Sequence, residues 1–154
     1  VERTQSELND LGVPREKWHD TIIAASLVEA ERGSDEDAAK IARVFLNRMA
    51  QDRPLQLDTT LNYALNRRKV AVATKETTLD SPYNTYQHKG LPIGAICSPG
   101  RVAIQGVLSP AEGPWLYFVA VNPDTGETKF ATTEKEFFAL QDELNIWLKA
   151  NPGR

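Results

Sequence analysis

Trp115-Leu116-Tyr117-Phe118-Val119-Ala120-Val121 is an aromatic and β-branched run, and such a run is best accommodated as a buried strand. Asp124-Thr125-Gly126 follows as a turn, and Thr128 to Ala131 return as the partner strand, so the spacing predicts a hairpin. The residues before it carry helical spacing instead. After it, Thr133 and Glu136 form a capping box for a last helix to about Lys149, with Phe137, Leu140, Leu144, Trp147 and Leu148 toward the core. Helices, then one hairpin, then a helix predict an α+β fold: helices packed on a small, mostly antiparallel sheet.

The first strong helix spans Trp18 to Glu31, with Gly33 as its expected stop. On it Ile22, Ala25, Ser26 and Glu29 share one face, while Ala24, Leu27, Val28 and Glu31 lie on another. Ser34 is expected to cap a second helix whose apolar stripe is Ile41, Val44, Phe45 and Met49. Asp58 is expected to cap a short third helix carrying Leu61, Tyr63 and Leu65. Residues 79–99, punctuated by Pro82, Gly90, Pro92, Gly94 and Pro99, read as a long loop of the kind that lines a cleft. Ser98-Pro99 then marks a helix start. The expected organisation is a polar lead-in over 1–17, one domain over 18–150 and a tail over 151–154.

Composition narrows the functional classes. With 154 residues, a net charge of −3 and interspersed signs, neither half of the chain is basic, so nucleic acid is not an expected partner. The basic run Arg67-Arg68-Lys69 reads as a solvated loop. The two histidines, His19 and His88, have no ligand-spaced companions, so no metal is expected. Cys97 is the single cysteine and reads as a buried structural thiol. No phosphate-cradling loop is recognisable, and no cofactor is expected.

Glu29 is the first candidate for chemistry. It stands near the end of an apolar, small-residue helix, where desolvation and the negative helix end both favour a protonated carboxyl, as a general acid requires. A surface glutamate in a salt bridge is the plainer reading of the same pattern. Glu31, about 200° further round the helix, cannot share a cleft with it and is expected to pair with Arg32 or Lys40 or simply to be solvated. Tyr83-Asn84-Thr85-Tyr86 offers aromatic faces, an amide and a hydroxyl, a mixture suited to sugars; a structural turn explains it equally well.

Several segments, in order, resemble the MltG/YceG-type endolytic murein transglycosylases. The family's A-S-I-V-E is Ala25-Ser26-Leu27-Val28-Glu29 here, its V-F-x-N-R-L is Val44-Phe45-Leu46-Asn47-Arg48-Met49, and its L-Q-x-D-x-T is Leu55-Gln56-Leu57-Asp58-Thr59-Thr60. Y-N-T-Y-x-x-x-G-L-P-P-G-A-I corresponds to Tyr83-Asn84-Thr85-Tyr86 followed by Gly90-Leu91-Pro92-Ile93-Gly94-Ala95-Ile96. Ser98-Pro99-Gly100 and Leu116-Tyr117-Phe118-Val119 complete the match. Ile93 replaces a family proline, Thr59 stands where many members have proline, and Thr128-Lys129-Phe130 lacks the H-x-F histidine, so no role falls to a histidine.

The resemblance implies a peptidoglycan lytic transglycosylase that cuts the β-1,4 bond between N-acetylmuramic acid and N-acetylglucosamine and leaves a 1,6-anhydro end. It assigns the acid-then-base role to Glu29 and leads us to expect sugar contacts from Gln56, Asp58, Tyr83, Asn84, Thr85 and Tyr86. Asp58 stands equally as a helix cap. Glycan strands are the implied substrate and cell-wall synthases the implied protein partners. The implied location is the extracytoplasmic face of the bacterial membrane, through an anchor outside this otherwise soluble segment. A non-catalytic glycan-binding module is the alternative, and a water-using hydrolase a further one. The aminodeoxychorismate lyase-like label attached to similar sequences requires a pyridoxal phosphate lysine motif, which the chain lacks.

Overall fold

Helix α2 (Trp18–Glu31) is apolar on nearly every side, and a helix of that kind must be enclosed. The computed structural model, which describes residues 2–67 and 73–153, encloses it. Leu27, Val28 and Ala25 are fully buried, with α5 (Arg101–Leu108) on one side and α3 (Ala38–Ala50) on the other. Gly106 lets α5 and α3 approach closely, since a Cβ there would stand 2.9 Å from the Ala38 carbonyl carbon. The short helix α4 (Asp58–Ala64) touches the last part of α2.

The polar lead-in differs from its expectation. Residues Glu2–Asp10 form helix α1, and Leu8 and Val13 belong to the main core. One fully buried leucine anchors a helix that composition alone reads as solvated. The Arg68–Lys69 part of the basic run lies outside the described residues.

The hairpin is present as β1 (Tyr117–Asn122) and β2 (Glu127–Ala131), antiparallel, with Tyr117 opposite Ala131 and a register irregularity between Ala120 and Asn122. Helix α6 (Glu134–Ala150) packs on β1, where the Phe137 ring stacks on Tyr117 at 4.7 Å. Thr133 Oγ accepts from Glu136 N at 3.2 Å, which is the expected cap. The α6 positions assigned to the core are only partly covered, because a two-stranded sheet offers one narrow face. These elements make the α+β fold expected from sequence. Asn47 and Arg48 fasten α3 to the strand lead-in: Asn47 donates to Gly113 O and Trp115 O, and Arg48 donates to Leu116 O at 2.8 Å.

Some element ends differ for physical reasons. Gly33 does not adopt a left-handed cap; it is glycine because a Cβ would meet the Gly126 carbonyl oxygen of the hairpin turn at 2.1 Å. A 3-10 turn, Asp35–Asp37, precedes α3, and Ser34 makes no side-chain cap bond. Leu57 is the N-cap of α4 rather than Asp58, whose carboxylate is used elsewhere. Helix α5 begins at Arg101, after Gly100, rather than at Pro99.

Candidate active site

Ser26, one turn before Glu29, brings the long loop to the helix. Its buried hydroxyl accepts from Ile96 N at 3.1 Å, and its carbonyl accepts from Cys97 Sγ at 3.3 Å. The loop thereby meets α2 beside Glu29, and Gly100 N donates to Glu29 Oε1 at 2.8 Å. Gly100 is glycine for proximity: a Cβ would stand 2.9 Å from that oxygen. The other carboxylate oxygen, Oε2, accepts from Arg32 Nε at 2.6 Å. Both oxygens of Glu29 are therefore fixed, with 23% of the side chain exposed.

This corrects one expectation. The carboxyl is not surrounded by apolar groups alone; a guanidinium faces it. Arg32 also donates through Nη1 to Asp35 Oδ1 at 2.6 Å. Burial alone would lower the Arg32 guanidinium, but its bonds to Glu29 and Asp35 outweigh that and raise it above its ordinary value.

Glu29 lines a cavity of 1030 Å³ together with Thr59, Asn62, Tyr63, Tyr83, Arg67 and Cys97, among others. The Tyr63 and Tyr83 rings lie 4.8 Å apart, and Tyr63 is 45% exposed, so an aromatic surface faces the carboxyl's cavity. Cys97 is exposed at this wall rather than buried as expected; partial desolvation and then the charge of Glu29 push its thiol up, which disfavours thiolate chemistry.

A second cavity, of 410 Å³, lies on the other side of Thr59 and Asn62, which belong to both walls. Its lining includes Glu31, Arg48, Gln56, Asp58 and Tyr86 beside apolar residues such as Val44, Leu55 and Phe118. Glu31 is not paired with Arg32 or Lys40: Thr59 Oγ1 donates to its Oε1 at 2.6 Å, and Lys40 lies over the Trp115 and Phe130 rings. Burial of its carboxyl pushes Glu31 up to about 7; the Thr59 bond opposes this and neighbouring Asp58 adds to it. The Tyr86 hydroxyl donates to Asp58 Oδ1, and burial followed by that bond raises the Tyr86 phenol. Gln56 has φ +55, a left-handed conformation uncommon for a residue with a side chain, and its Oε1 accepts from Arg48 Nη2 at 3.1 Å. Burial and then Arg53 lower Arg48.

The residues singled out from sequence therefore separate. Glu29 and Tyr83 share the larger cavity, and Gln56, Asp58 and Tyr86 share the smaller. Asn84 and Thr85 are 0% and 1% exposed and line neither. Asn84 Nδ2 donates to Thr77 O and Leu79 O, and its Oδ1 accepts from Tyr86 N. Thr85 Oγ1 accepts from Leu57 N at 2.8 Å and bonds Thr60 Oγ1 at 2.9 Å. Thr85 holds the loop against α4, and Asn84 ties the loop to itself and to Thr77. Sequence reasoning passed over Gly100, Tyr63, Thr59 and Arg32. Only Arg32 carried a readable signal, its i,i+3 spacing to both Glu29 and Asp35. Among the described residues, no group of three or more His, Cys, Asp or Glu side chains is placed to hold a metal ion, and no helix is long and apolar enough to cross a membrane.

Comparison with known proteins bears on the family and the fold. The YceG-like family matches residues 2–143. An endolytic murein transglycosylase of Bacillus subtilis (strain 168) is 41% identical over 118 residues, 77% of this chain and 32% of that protein. One from Streptococcus pneumoniae serotype 2 (strain D39) is 34% identical over 123 residues, covering 77% of this chain and 22% of that protein. The chain thus spans well under half the length of either relative. The crystal structure of a yceG-like protein, lmo1499, from Listeria monocytogenes matches 91% of this chain and 44% of its own, with a TM-score of 0.76 and 36% identity.

Proposed function

The chain belongs to the YceG-like family, and from that premise we propose that it is the catalytic part of an endolytic peptidoglycan lytic transglycosylase. The reaction is cleavage of the β-1,4 bond between N-acetylmuramic acid and N-acetylglucosamine. Its products are a glycan ending in 1,6-anhydro-N-acetylmuramic acid and a strand beginning with a free 4-hydroxyl. The observation that carries this reading is Glu29: a single carboxyl, held on both oxygens, in the wall of a cavity with two tyrosine rings.

Protonated Glu29 gives its proton to the bridging oxygen as the bond to the muramic C1 breaks. Positive charge develops at C1, and the 2-acetamido group can assist. The Glu29 carboxylate then takes the proton of the sugar's own 6-hydroxyl, O6 bonds to C1, and the enzyme is restored. Hydrolases of glycosides ordinarily need a second carboxyl to activate water or to attack. Here the nucleophile belongs to the substrate, and its high effective molarity makes one carboxyl enough. Gly100 N–H and Arg32 fit the role of stabilising the carboxylate formed midway.

Tyr83, with Tyr63, supplies rings for sugar faces in the larger cavity, while Gln56, Asp58 and Tyr86 receive sugars beyond the Thr59–Asn62 wall. Asn84 and Thr85 serve binding indirectly, by fixing the loop. Glycan strands are the substrate, cell-wall synthases the protein partners, and a membrane anchor elsewhere in the full-length protein sets the location.

Glu29→Gln keeps the shape and removes the acid. Its folding and thermal unfolding should match the parent while release of fragments from purified peptidoglycan falls by about 10²–10⁴-fold, the usual weight of an acid–base group. Undiminished release would remove Glu29 from the chemistry.

A further inference from the structure

Successive residues of β1, Tyr117 to Ala120, line the smaller cavity. Side chains of a strand point alternately to opposite faces, so a wall made of consecutive residues is the strand's edge rather than one face. The sheet has two strands, and β2 occupies one edge of β1. The other edge is the one at the cavity. Among the described residues, no group outside the hairpin is hydrogen-bonded to the main chain of Phe118, Val119 or Ala120. Such an edge presents N–H and C=O groups that an extended peptide satisfies as an added strand. The same cavity holds a cation bonded to neutral groups. Arg48 lines it, is 5% exposed, and donates to Pro54 O, Leu116 O and Gln56 Oε1. The acids of the lining are engaged by hydroxyls instead, Glu31 by Thr59 and Asp58 by Tyr86. A carboxylate entering beside Arg48 would gain a charge-assisted bond.

We propose that the smaller cavity receives the peptide stem of a muramic residue, laid along the free edge of β1 with a stem carboxylate toward Arg48. This rests on the reading of the chain as a peptidoglycan-cleaving enzyme and says which part of the substrate enters which cavity. The lactyl group of a muramic residue carries a short peptide with free carboxylates. The substrate therefore brings both partners that the cavity can use: amide groups for the strand edge and negative charge for the guanidinium. Thr59 and Asn62 belong to both cavities, so a muramic residue at that wall can turn its glycosidic bond toward Glu29 and its stem toward β1. The edge from Tyr117 to Ala120 is about 13 Å long at roughly 3.3 Å per residue, room for a short extended peptide. Val44, Phe118 and Leu144 in the same lining suit small apolar side chains of the stem. A bare glycan offers its acetamido groups singly, spaced by whole sugar rings, so a continuous strand edge fits a peptide better.

The test gives the protein three probes: a synthetic stem peptide acylated at its amino end, the same peptide with its carboxylates amidated, and glycan strands stripped of their stems by an amidase. Hydrogen exchange followed by nitrogen-15 NMR reads the β1 amides. At about ten times its Kd, the free-acid peptide should slow exchange of the cavity-facing amides among Phe118, Val119 and Ala120 by about tenfold. The amidated peptide should bind about tenfold more weakly, the weight of one hydrogen bond to a charged group. The parent should cleave stem-bearing strands with a kcat/KM about tenfold above that on stripped strands. Gln141 is an exposed α6 residue of the cavity lining, so Gln141→Trp should fold, fill the groove and remove most of that preference. No protection of β1 by the free-acid peptide, or equal affinity for the acid and amidated peptides, would overturn the proposal. So would protection by stripped strands equal to that by the peptide, which would assign the edge to acetamido groups, or a folded Gln141→Trp that keeps the preference. A parent that cleaves neither kind of strand sinks the functional reading instead, while the peptide's effect on β1 exchange still decides the proposal.

Discussion

Glu31 gives the sharpest quantitative handle on this molecule. Its folded-state value of about 7, against 4.5 for an ordinary glutamate, means that the fold favours the protonated form. A difference of that size sets a ceiling of roughly 3 kcal/mol. Its carboxyl is enclosed although the residue as a whole is only partly buried, so about 2 kcal/mol is the expected size. The sign follows from linkage. Below pH 4.5 both states hold the proton and the stability is fully present. Between 4.5 and about 7 the unfolded chain has lost the proton and the folded one resists losing it, so stability declines, and above about 7 the contribution is gone. Glu31→Gln cannot ionise and should show no such decline, while all other titrations stay common to both proteins. Urea unfolding of both at pH 4.5, 6 and 8 should show the stability of Glu31→Gln relative to the parent growing by about 2 kcal/mol, or roughly 4–8 °C in melting temperature for a domain of this size. A constant difference across that range would refute the burial argument for this carboxyl.

Other predictions test the site's geometry. Gly100→Ala places a methyl 2.9 Å from Glu29 Oε1, a mobile side-chain end, so the fold should survive within about 1 kcal/mol while turnover drops by about 10-fold to 100-fold; unchanged steady-state rates would contradict it. Asn84→Ala strips partners from Thr77 O, Leu79 O and Tyr86 N and should cost about 2–4 kcal/mol in urea unfolding, which identifies Asn84 as loop support rather than a sugar contact. Tyr83→Ala should weaken glycan binding by calorimetry by about 1–2 kcal/mol, Tyr83→Phe by much less, because the ring face is the contacting surface.

The legible part of this chain was its local grammar. The apolar stretch from Ile22 to Val28, the Thr133–Glu136 cap and the turn at Gly126 each determine their own backbone, and all stand where sequence spacing put them. What was not legible depends on partners far along the chain. Gly33 answers to Gly126, Gly100 to Glu29 and Glu31 to Thr59; none of these pairings has a sequence period. Tyr83-Asn84-Thr85-Tyr86 shows the limit most clearly. The amide and the hydroxyl that bind a sugar are the same groups that tie down a loop, and only burial separates Asn84 and Thr85 from Tyr83. The α1 helix was missed because one enclosed residue, Leu8, decides it against a polar composition.

The most direct measurement is mass spectrometry of the new glycan ends released from purified peptidoglycan by the parent protein and by Glu29→Gln. The account predicts 1,6-anhydro ends, lighter by one water than reducing ends, from the parent and almost none from the variant. Reducing ends from the parent, or anhydro ends in equal yield from Glu29→Gln, would contradict a single carboxyl serving as acid and then base.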